Sequence, residues 1–500
     1  MEIRTICVIS VLILDYQTKY LIMVLIAVTG PVGSGKTRLL TSLAEWAGEN
    51  TKQVDGFVAI GHDRPDPEKG AREYVLQQLA SGAQLPFAGR DESQSPPYRI
   101  EQKSLDLLSA WAESLSGRHP LSLLIMDEFG PLEARGGGHA SYWGHIQKAH
   151  PEVVVIAVRE NVVREVETRL GLPFDVVVDV TSPNASDNLR SLILHHSDWI
   201  RVGQFGAAAG GFEATVGSAL HETRIPMTGL FMSVVQSLVM MFAGDRLSNR
   251  GRVMWVPFIS AGLKALSPYG GRLRPMLAIT VQGFLFSLSV TLLGWNVVGI
   301  IVGGWFVGAW AALQGIILQY ILIGDNLFPA LDVMIRWMAG HLHLEVPGVI
   351  TLIIIWTVFS GSISAVVTLV AWLRRHRLPS RVSAMLAKGT GGITRDVGTL
   401  SMKNALKTGL RDLTRPFFWA PVVVIALIIV LSGSSWEQAV WVAVRALTVG
   451  WVLFSLARLF DPRKLAGWLQ RRGHWGPAMA LSRALRPRPS HTEEKNTEGH

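Results

Sequence analysis

The chain of 500 residues contains one cysteine, Cys7. A lone thiol excludes the disulfide framework of a small secreted scaffold. Charge is also scarce, at 17% of residues, against about 25% in ordinary soluble proteins. It is unevenly spread as well. Residues 1–225 hold 20 Lys+Arg and 27 Asp+Glu, a balance of −7; residues 226–500 hold 27 and 11, a balance of +16; together they give the net +9. A basic total raises the question of nucleic acid. Here the basic half is also the apolar half, so nucleic acid is not the expected partner; a lipid bilayer is. The first half lacks any apolar run near the roughly 20 residues a bilayer demands. Its one early candidate, Ile6–Leu14, is too short, and no A-x-A cleavage site follows it. Residues 1–22 are therefore expected to be an extension ahead of the true start, with Met23 as that start. The hydrophobic content, 49%, excludes global disorder, and the length exceeds a single ordinary domain.

Residues 23–200 read as an α/β domain. Short apolar runs bounded by turn residues, Met23–Val28, Leu121–Met126, Val153–Val158 and Val176–Val180, have the character of buried parallel strands. Helical stretches lie between them at Thr37–Ala47, Ser104–Leu115 and Val162–Leu170. Strand and helix in alternation predict a mostly parallel sheet with helices on both faces. Residues 201–225, rich in Gly and Ala, are expected to be a linker.

From 226 onward long apolar runs predict an all-α polytopic membrane domain of six spans: 226–243, 276–294, 297–322, 348–373, 416–432 and 438–457. The segment 253–268 carries Lys264 and two prolines and is read as re-entrant or interfacial, with a span as the alternative. The domain divides into four spans over 226–373, a basic loop over 374–415, two further spans over 416–457, and a basic tail over 458–500. The loop holds ten Lys/Arg and the tail nine. Positive charge marks both as cytoplasmic and places the protein in the cell (inner) membrane, multi-pass, with residues 23–200 and the C-terminus inside. The loop 244–275 fits less well, because it falls outside with six Lys/Arg.

The strongest motif is Gly30-Pro31-Val32-Gly33-Ser34-Gly35-Lys36-Thr37, which fits G-x-x-x-x-G-K-[ST] at every fixed position. An apolar strand enters it and a helix leaves it. Its glycines let backbone N–H groups close on phosphate, and the helix N-terminus faces the same anion. Gly30 through Thr37, with Arg38, form the expected nucleotide cradle. Lys36 is expected on the β- and γ-phosphates and Thr37 on Mg²⁺. The second motif, Leu123-Leu-Ile-Met126-Asp127-Glu128, is an apolar strand ending in two acids about 90 residues later. Asp127 is assigned to the Mg²⁺ shell with Thr37. Glu128 is assigned to orient and deprotonate the attacking water. Arg159, at the end of the strand Val153–Val158, lies at the carboxyl edge where ligands bind and is a candidate cis arginine for the γ-phosphate. Lys36, Glu128 and Arg159 thus form the candidate catalytic set. Glu133 is read as structural in the first instance. The LSG string Leu431-Ser432-Gly433 ends an apolar run and does not support an ABC-type ATPase; no Arg-rich lid segment argues for a kinase.

Asp127-Glu128-Phe129-Gly130-Pro131-Leu132-Glu133 resembles the D-E-[IV]-G-x-x-E box of the small P-loop nucleoside-triphosphatases first defined from thermophiles. Gly56-Phe57, Ala71-Arg72-Glu73-Tyr74 and Pro97-Tyr98 are similar to further positions of that family, and the resemblance covers roughly 24–195. It implies hydrolysis of nucleoside triphosphates to diphosphates with broad base preference. Phe129 departs from the usual aliphatic residue, and Glu73 stands where the family often has Gly. The membrane half resembles energy-coupling-factor vitamin transporters. Gly262–Pro268 and Pro275–Gly283 resemble the substrate-binding component; Asp461–Ala466 and Ala480–Arg486 resemble the end of the coupling component. That resemblance implies ATPase-docking helices, with Arg483 as the nearest match, although the usual following Gly is absent.

Two weaker signals complete the reading. His341-x-His343-x-Glu345 could hold a metal if extended, but such loop residues are more often solvated. Arg445, within the last apolar run, is expected to be paired or functional. The sequence thus predicts a membrane-tethered nucleoside-triphosphatase that takes ATP or another NTP with Mg²⁺. It is expected to energise uptake of a vitamin- or cofactor-like solute, or alternatively to act as a nucleotide-dependent switch that gates or assembles a membrane partner. A glycine face on the third span also permits a homo-oligomer.

Overall fold

The computed structural model describes residues 23–50, 52–62, 73–91, 98–115, 121–217, 220, 227–266, 273–342, 345–375, 402–414, 416–431 and 435–486. The extension 1–22, Ala71-Arg72, Pro97, His343, most of the basic loop and the tail beyond 486 lie outside them. The chain divides into two compact units, Met1–Ile200 with Ala466–Ser482, and Arg201–Leu465 with Arg483–His500.

The first unit is built on one eight-stranded sheet. In chain order its strands are β1 (Val24–Thr29), β2 (Val54–His62), β3 (Glu73–Gln78), β4 (Gln84–Arg90), β5 (Tyr98–Ile100), β6 (Leu123–Phe129), β7 (Val153–Val158) and β8 (Val176–Asp179). Their spatial order is β5-β4-β3-β2-β6-β7-β1-β8. β2, β6, β7, β1 and β8 run parallel, with Val24 opposite Val153 and Ile26 opposite Val176. β1 and β7 are buried at all six positions. This is why they read as continuous aliphatic runs rather than alternating ones.

The mostly parallel sheet with helices on both faces is the α/β P-loop architecture expected for this half. What the apolar runs did not reveal is the antiparallel extension of β3, β4 and β5 beyond β2. β3 buries only alternate residues at its start, so it carries no continuous apolar signal.

One face of the sheet is covered by α1 (Lys36–Glu49), through Leu40, Leu43 and Ala47, and by the first part of α6 (Ala185–Phe212), through Leu189, Leu192 and Ile193. The other face carries α2 (Gln102–Leu115), α4 (Trp143–Ala149) and α5 (Val163–Leu170). The short α3 (Pro131–Ala134) follows β6.

The segment expected to be part of a basic tail contributes to this core. Trp475 and Met479 pack in the same cluster as Val24, Leu43 and Leu192. Gln470 Nε2 donates to the Val177 carbonyl at 2.8 Å, and its own carbonyl accepts from Trp475 Nε1. The side chain thereby bonds to the backbone of β8, the sheet's edge strand. Hydropathy did not distinguish this piece because Trp475–Leu481 is short and lies between basic residues.

The second unit is helical. Its elements are α7 (Thr228–Arg246), α8 (Trp255–Leu266), α9 (Leu273–Leu293), α10 (Val297–Ile323), α11 (Leu327–Leu342), α12 (Val349–Leu373), α13 (Met402–Leu413), α14 (Pro416–Leu431) and α15 (Trp436–Leu459). α16 (Pro462–Arg471) and α17 (Trp475–Leu485) follow. Among the described residues, five helices are long and apolar enough to cross a membrane: Thr228–Arg246, Arg274–Leu293, Val297–Ile323, Val349–Leu373 and Trp436–Ser455. The fifth expected span, 416–432, forms α14, whose 16 residues rise about 24 Å against about 30 Å of hydrocarbon. The 12 residues of α8 are shorter still.

The expected linker is corrected over 201–217. α6 continues to Phe212, and a π-helical turn covers Glu213–Gly217. Gly206 and Gly210 are there for close approach, not flexibility. A Cβ on Gly206 would stand 2.7 Å from Ile259, and one on Gly210 would stand 2.9 Å from Leu263. The G-x-x-x-G spacing lets this helix lie directly against α8. The small-residue face of α10 works the same way: Gly304 meets Thr368 and Gly308 meets Ser364 of α12. Arg445 has its guanidinium beside Gly324, at the end of α10, where Tyr320 donates to Asp325 at 2.6 Å.

Candidate functional site

The site is assembled at the carboxyl edge of the parallel strands. β1 ends at Thr29, and the chain turns through Gly30–Gly35 into α1. Gly33 and Gly35 adopt φ of 79° and 94°, a left-handed region open to glycine at little cost. Pro31, Val32 and Gly33 are exposed at the crest, as is Arg38 on the first turn of α1. Lys36 bends back across the loop, its Nζ donating to the carbonyls of Gly30 at 2.8 Å and Pro31 at 2.9 Å. Burial pushes its ammonium below the ordinary lysine value, and the charges of Glu128 and Asp127 oppose that shift. The Ser34 hydroxyl is buried with no hydrogen-bond partner. A cradle of backbone donors, a half-buried cation and an orphaned hydroxyl suits a phosphate group.

Across from it, β6 delivers the acids. Met126 pairs with Ile156 and Phe129 with Val158, so β6 holds one more residue than β7 between these pairs. The extra residue is accommodated as a bulge at Asp127-Glu128. Glu128 has φ of 63°, a conformation that costs a non-glycine residue about 1–3 kcal/mol and tends to occur at functional sites. Asp127 is 2% exposed. Its carboxylate accepts from Ala59 N–H at 3.2 Å and from Glu128 N–H at 2.9 Å, and the Thr37 hydroxyl lies close to it. Burial pushes its pKa up, and these polar neighbours pull it back. An oxygen-donor pair of hydroxyl and carboxylate is chemically suited to Mg²⁺.

Arg159 leaves β7 with its N–H donating to the Phe129 carbonyl at 3.0 Å. Its Nη2 lies 3.9 Å from Glu128 Oε2, with both side chains partly exposed. The structure therefore brings together Lys36, Thr37, Asp127, Glu128 and Arg159, the residues singled out for chemistry. Arg38 stands apart, on the exposed side of α1.

Beneath Glu128 lies a support of which sequence reasoning singled out Glu133, as structural, but missed His139. Glu133 is 3% exposed, and its carboxylate accepts from Gly130 N–H at 2.8 Å and His139 N–H at 3.3 Å. His139 is fully buried, hydrogen-bonds Tyr142, and stacks on Phe129 and Phe87 at ring separations of 5.3 and 5.0 Å. The run Gly136-Gly137-Gly138 before His139 is the signal that could have drawn attention to this loop. No group of three or more His, Cys, Asp or Glu suited to a metal occurs among the described residues. His341 caps the Trp337 carbonyl and packs on the Trp337 ring.

Fold and site together define a P-loop NTPase domain. In agreement with this, a protein-family model described as an AAA domain matches residues 24–156. No curated protein and no solved structure matches the chain.

Proposed function

We propose that the protein is a membrane-anchored nucleoside-triphosphatase that hydrolyses ATP or a related NTP to diphosphate and phosphate with Mg²⁺, and couples that hydrolysis to small-molecule uptake through its helical unit. The observation that carries the hydrolytic reading is the approach of the Thr37 hydroxyl to the buried Asp127 carboxylate. It joins the hydroxyl of the phosphate loop to the carboxylate of the second motif, the pair that would hold Mg²⁺, with Glu128 and Arg159 beside them. The metal, when bound, would neutralise charge on the β- and γ-phosphates. Lys36 would turn from its loop carbonyls to the same oxygens. Glu128 would accept the proton of the attacking water. Arg159 would meet charge developing on the γ-phosphate. The DEFGPLE box supports the same assignment.

Coupling is supported by chain connectivity. The polypeptide leaves the first unit at residue 200, and Ala466–Ser482, after the last apolar helix, belongs to that unit again. A tether would need one connection; a second, folded into the NTPase core, suits transmission of a nucleotide-driven change. The basic segments at 374–415 and 458–500 support a cytoplasmic position for the NTPase.

The test is reconstitution of the full chain in liposomes with a panel of vitamin- and cofactor-like solutes while phosphate release is followed. Release that depends on Mg²⁺, disappears in Lys36→Ala and rises with one solute is the expected result. Release indifferent to every solute would reduce the function to tethered hydrolysis. Slow turnover with retained diphosphate would favour the switch. No release from the wild-type protein would overturn the hydrolytic reading.

A further inference from the structure

We propose that Glu133 is a positioning residue for hydrolysis, holding the backbone after the β6 bulge so that Glu128 keeps the left-handed conformation aimed at the attacking water. The inference rests on the hydrolytic reading above and adds to it a residue outside the phosphate loop and the acid pair.

Two fixed points bracket Glu128. On its N-terminal side Asp127 accepts from the Glu128 N–H itself. On its C-terminal side Phe129 and Gly130 are restrained three times. Arg159 N–H donates to the Phe129 carbonyl. His139 stacks on the Phe129 ring. Glu133 Oε2 accepts the Gly130 N–H. Glu133 also links two of these restraints, because its other oxygen accepts the N–H of His139. A single buried carboxylate therefore ties the chain leaving Glu128 to the loop whose imidazole packs on the next residue.

A residue at φ of 63° relaxes toward ordinary backbone angles unless its neighbours are held. Release of the Gly130 N–H removes the restraint nearest Glu128 on that side. Glu133 itself, packed against Gly130 and the 138–139 backbone, does not face the phosphate loop. Its effect must therefore run through Glu128 rather than through substrate.

The test uses the full chain in detergent with three readouts: phosphate release, affinity for a fluorescent triphosphate analogue, and trapping of ADP with aluminium fluoride, which mimics the transferring phosphoryl group. Glu133→Ala removes the acceptor, and Glu133→Gln keeps one oxygen for the Gly130 N–H. In Glu133→Ala, kcat and trapping should fall about tenfold or more, in line with a catalytic group moved by a fraction of an ångström, while triphosphate affinity stays within about threefold. Glu133→Gln should recover most of the loss, which a merely charged role would not predict.

Turnover in Glu133→Ala within about twofold of wild type would overturn the proposal. So would a joint loss of turnover and affinity, or Glu133→Gln falling as far as Glu133→Ala. Wild-type protein that neither hydrolyses nor traps would overturn the hydrolytic reading itself, and this inference with it. Wild-type activity matched by Glu133→Ala would overturn this inference alone.

Discussion

Met479 is fully buried within the core of the NTPase unit, although 300 residues separate it from the end of β8 in sequence. Replacing it with Ala should therefore destabilise the sheet domain. Deleting a buried methionine side chain to alanine costs about 2–5 kcal/mol, the larger values applying where the site cannot collapse. Met479 shares its cluster with Trp475 of its own helix and with Leu189 and Leu192 of the long helix α6, so collapse is limited and a value in the upper part of that range is expected. For a unit of this size, each kcal/mol moves Tm by about 2–4 °C, giving a drop of about 7–20 °C. The assay heats the full chain in detergent and follows release of a fluorescent nucleotide, a signal that comes only from the unit with the phosphate loop. Lys464→Ala, an exposed change on α16, serves as the control and should fall within about 0.5 kcal/mol of wild type. A Met479→Ala midpoint within about 1 °C of wild type would refute the reasoning, since it would mean that the core is complete without the C-terminal helix.

Four further outcomes are expected. Lys36→Ala abolishes phosphate release and weakens triphosphate binding, measured by fluorescence titration. Glu128→Gln binds nucleotide normally but turns over about 10²–10⁴-fold more slowly; full activity would remove Glu128 from the role of base. Gly206→Leu forces a side chain into Ile259 and should lower the detergent stability of the helical unit by about 1–3 kcal/mol, read by thermal aggregation. The fourth concerns pH. Burial pushes the Glu133 carboxyl up to about 7 from 4.5. Folding then favours the protonated form, so this group's contribution is fully present below about 4.5 and is lost as pH rises through about 7, a change of about 3 kcal/mol. Burial pushes His139 down to about 4, which gives an opposing slope between about 4 and 6.5. Only the difference between wild type and Glu133→Gln isolates the carboxylate. The stability of Glu133→Gln relative to wild type should rise from pH 5 to pH 8 in denaturant titrations; a flat difference would contradict the burial of an ionisable group there.

Much of this protein was legible in its residues because the relevant chemistry is local. A phosphate loop is a contiguous string whose glycines and lysine act within one turn, so Gly30–Thr37 could be read directly. The parallel strands β1, β6 and β7 were legible because burial on both faces demands unbroken aliphatic runs. The acid pair at Asp127-Glu128 was legible from its place at the end of such a run. The antiparallel strands were harder, since β3 and β4 alternate or carry polar residues and their pairing is set by neighbours rather than by pattern.

Other features exist only in three dimensions. The left-handed turn at Glu128 arises from a mismatch in count between β6 and β7, a property of the pair and not of either strand. The buried Glu133–His139 frame depends on a loop returning to the bulge. Gly206 and Gly210, which composition presents as flexible, are helix contacts because Ile259 and Leu263 lie against them. The helix around Met479 joins the NTPase core because the sheet offers an uncovered edge and an apolar face that a short run of Trp, Ala and Met can fill. The sequence alone determined that this chain carries a nucleotide site and a membrane-length set of helices, because both follow from local composition. The tertiary structure decided how Glu128 is held and which distant segment completes the domain, because those depend on surfaces that meet only after folding.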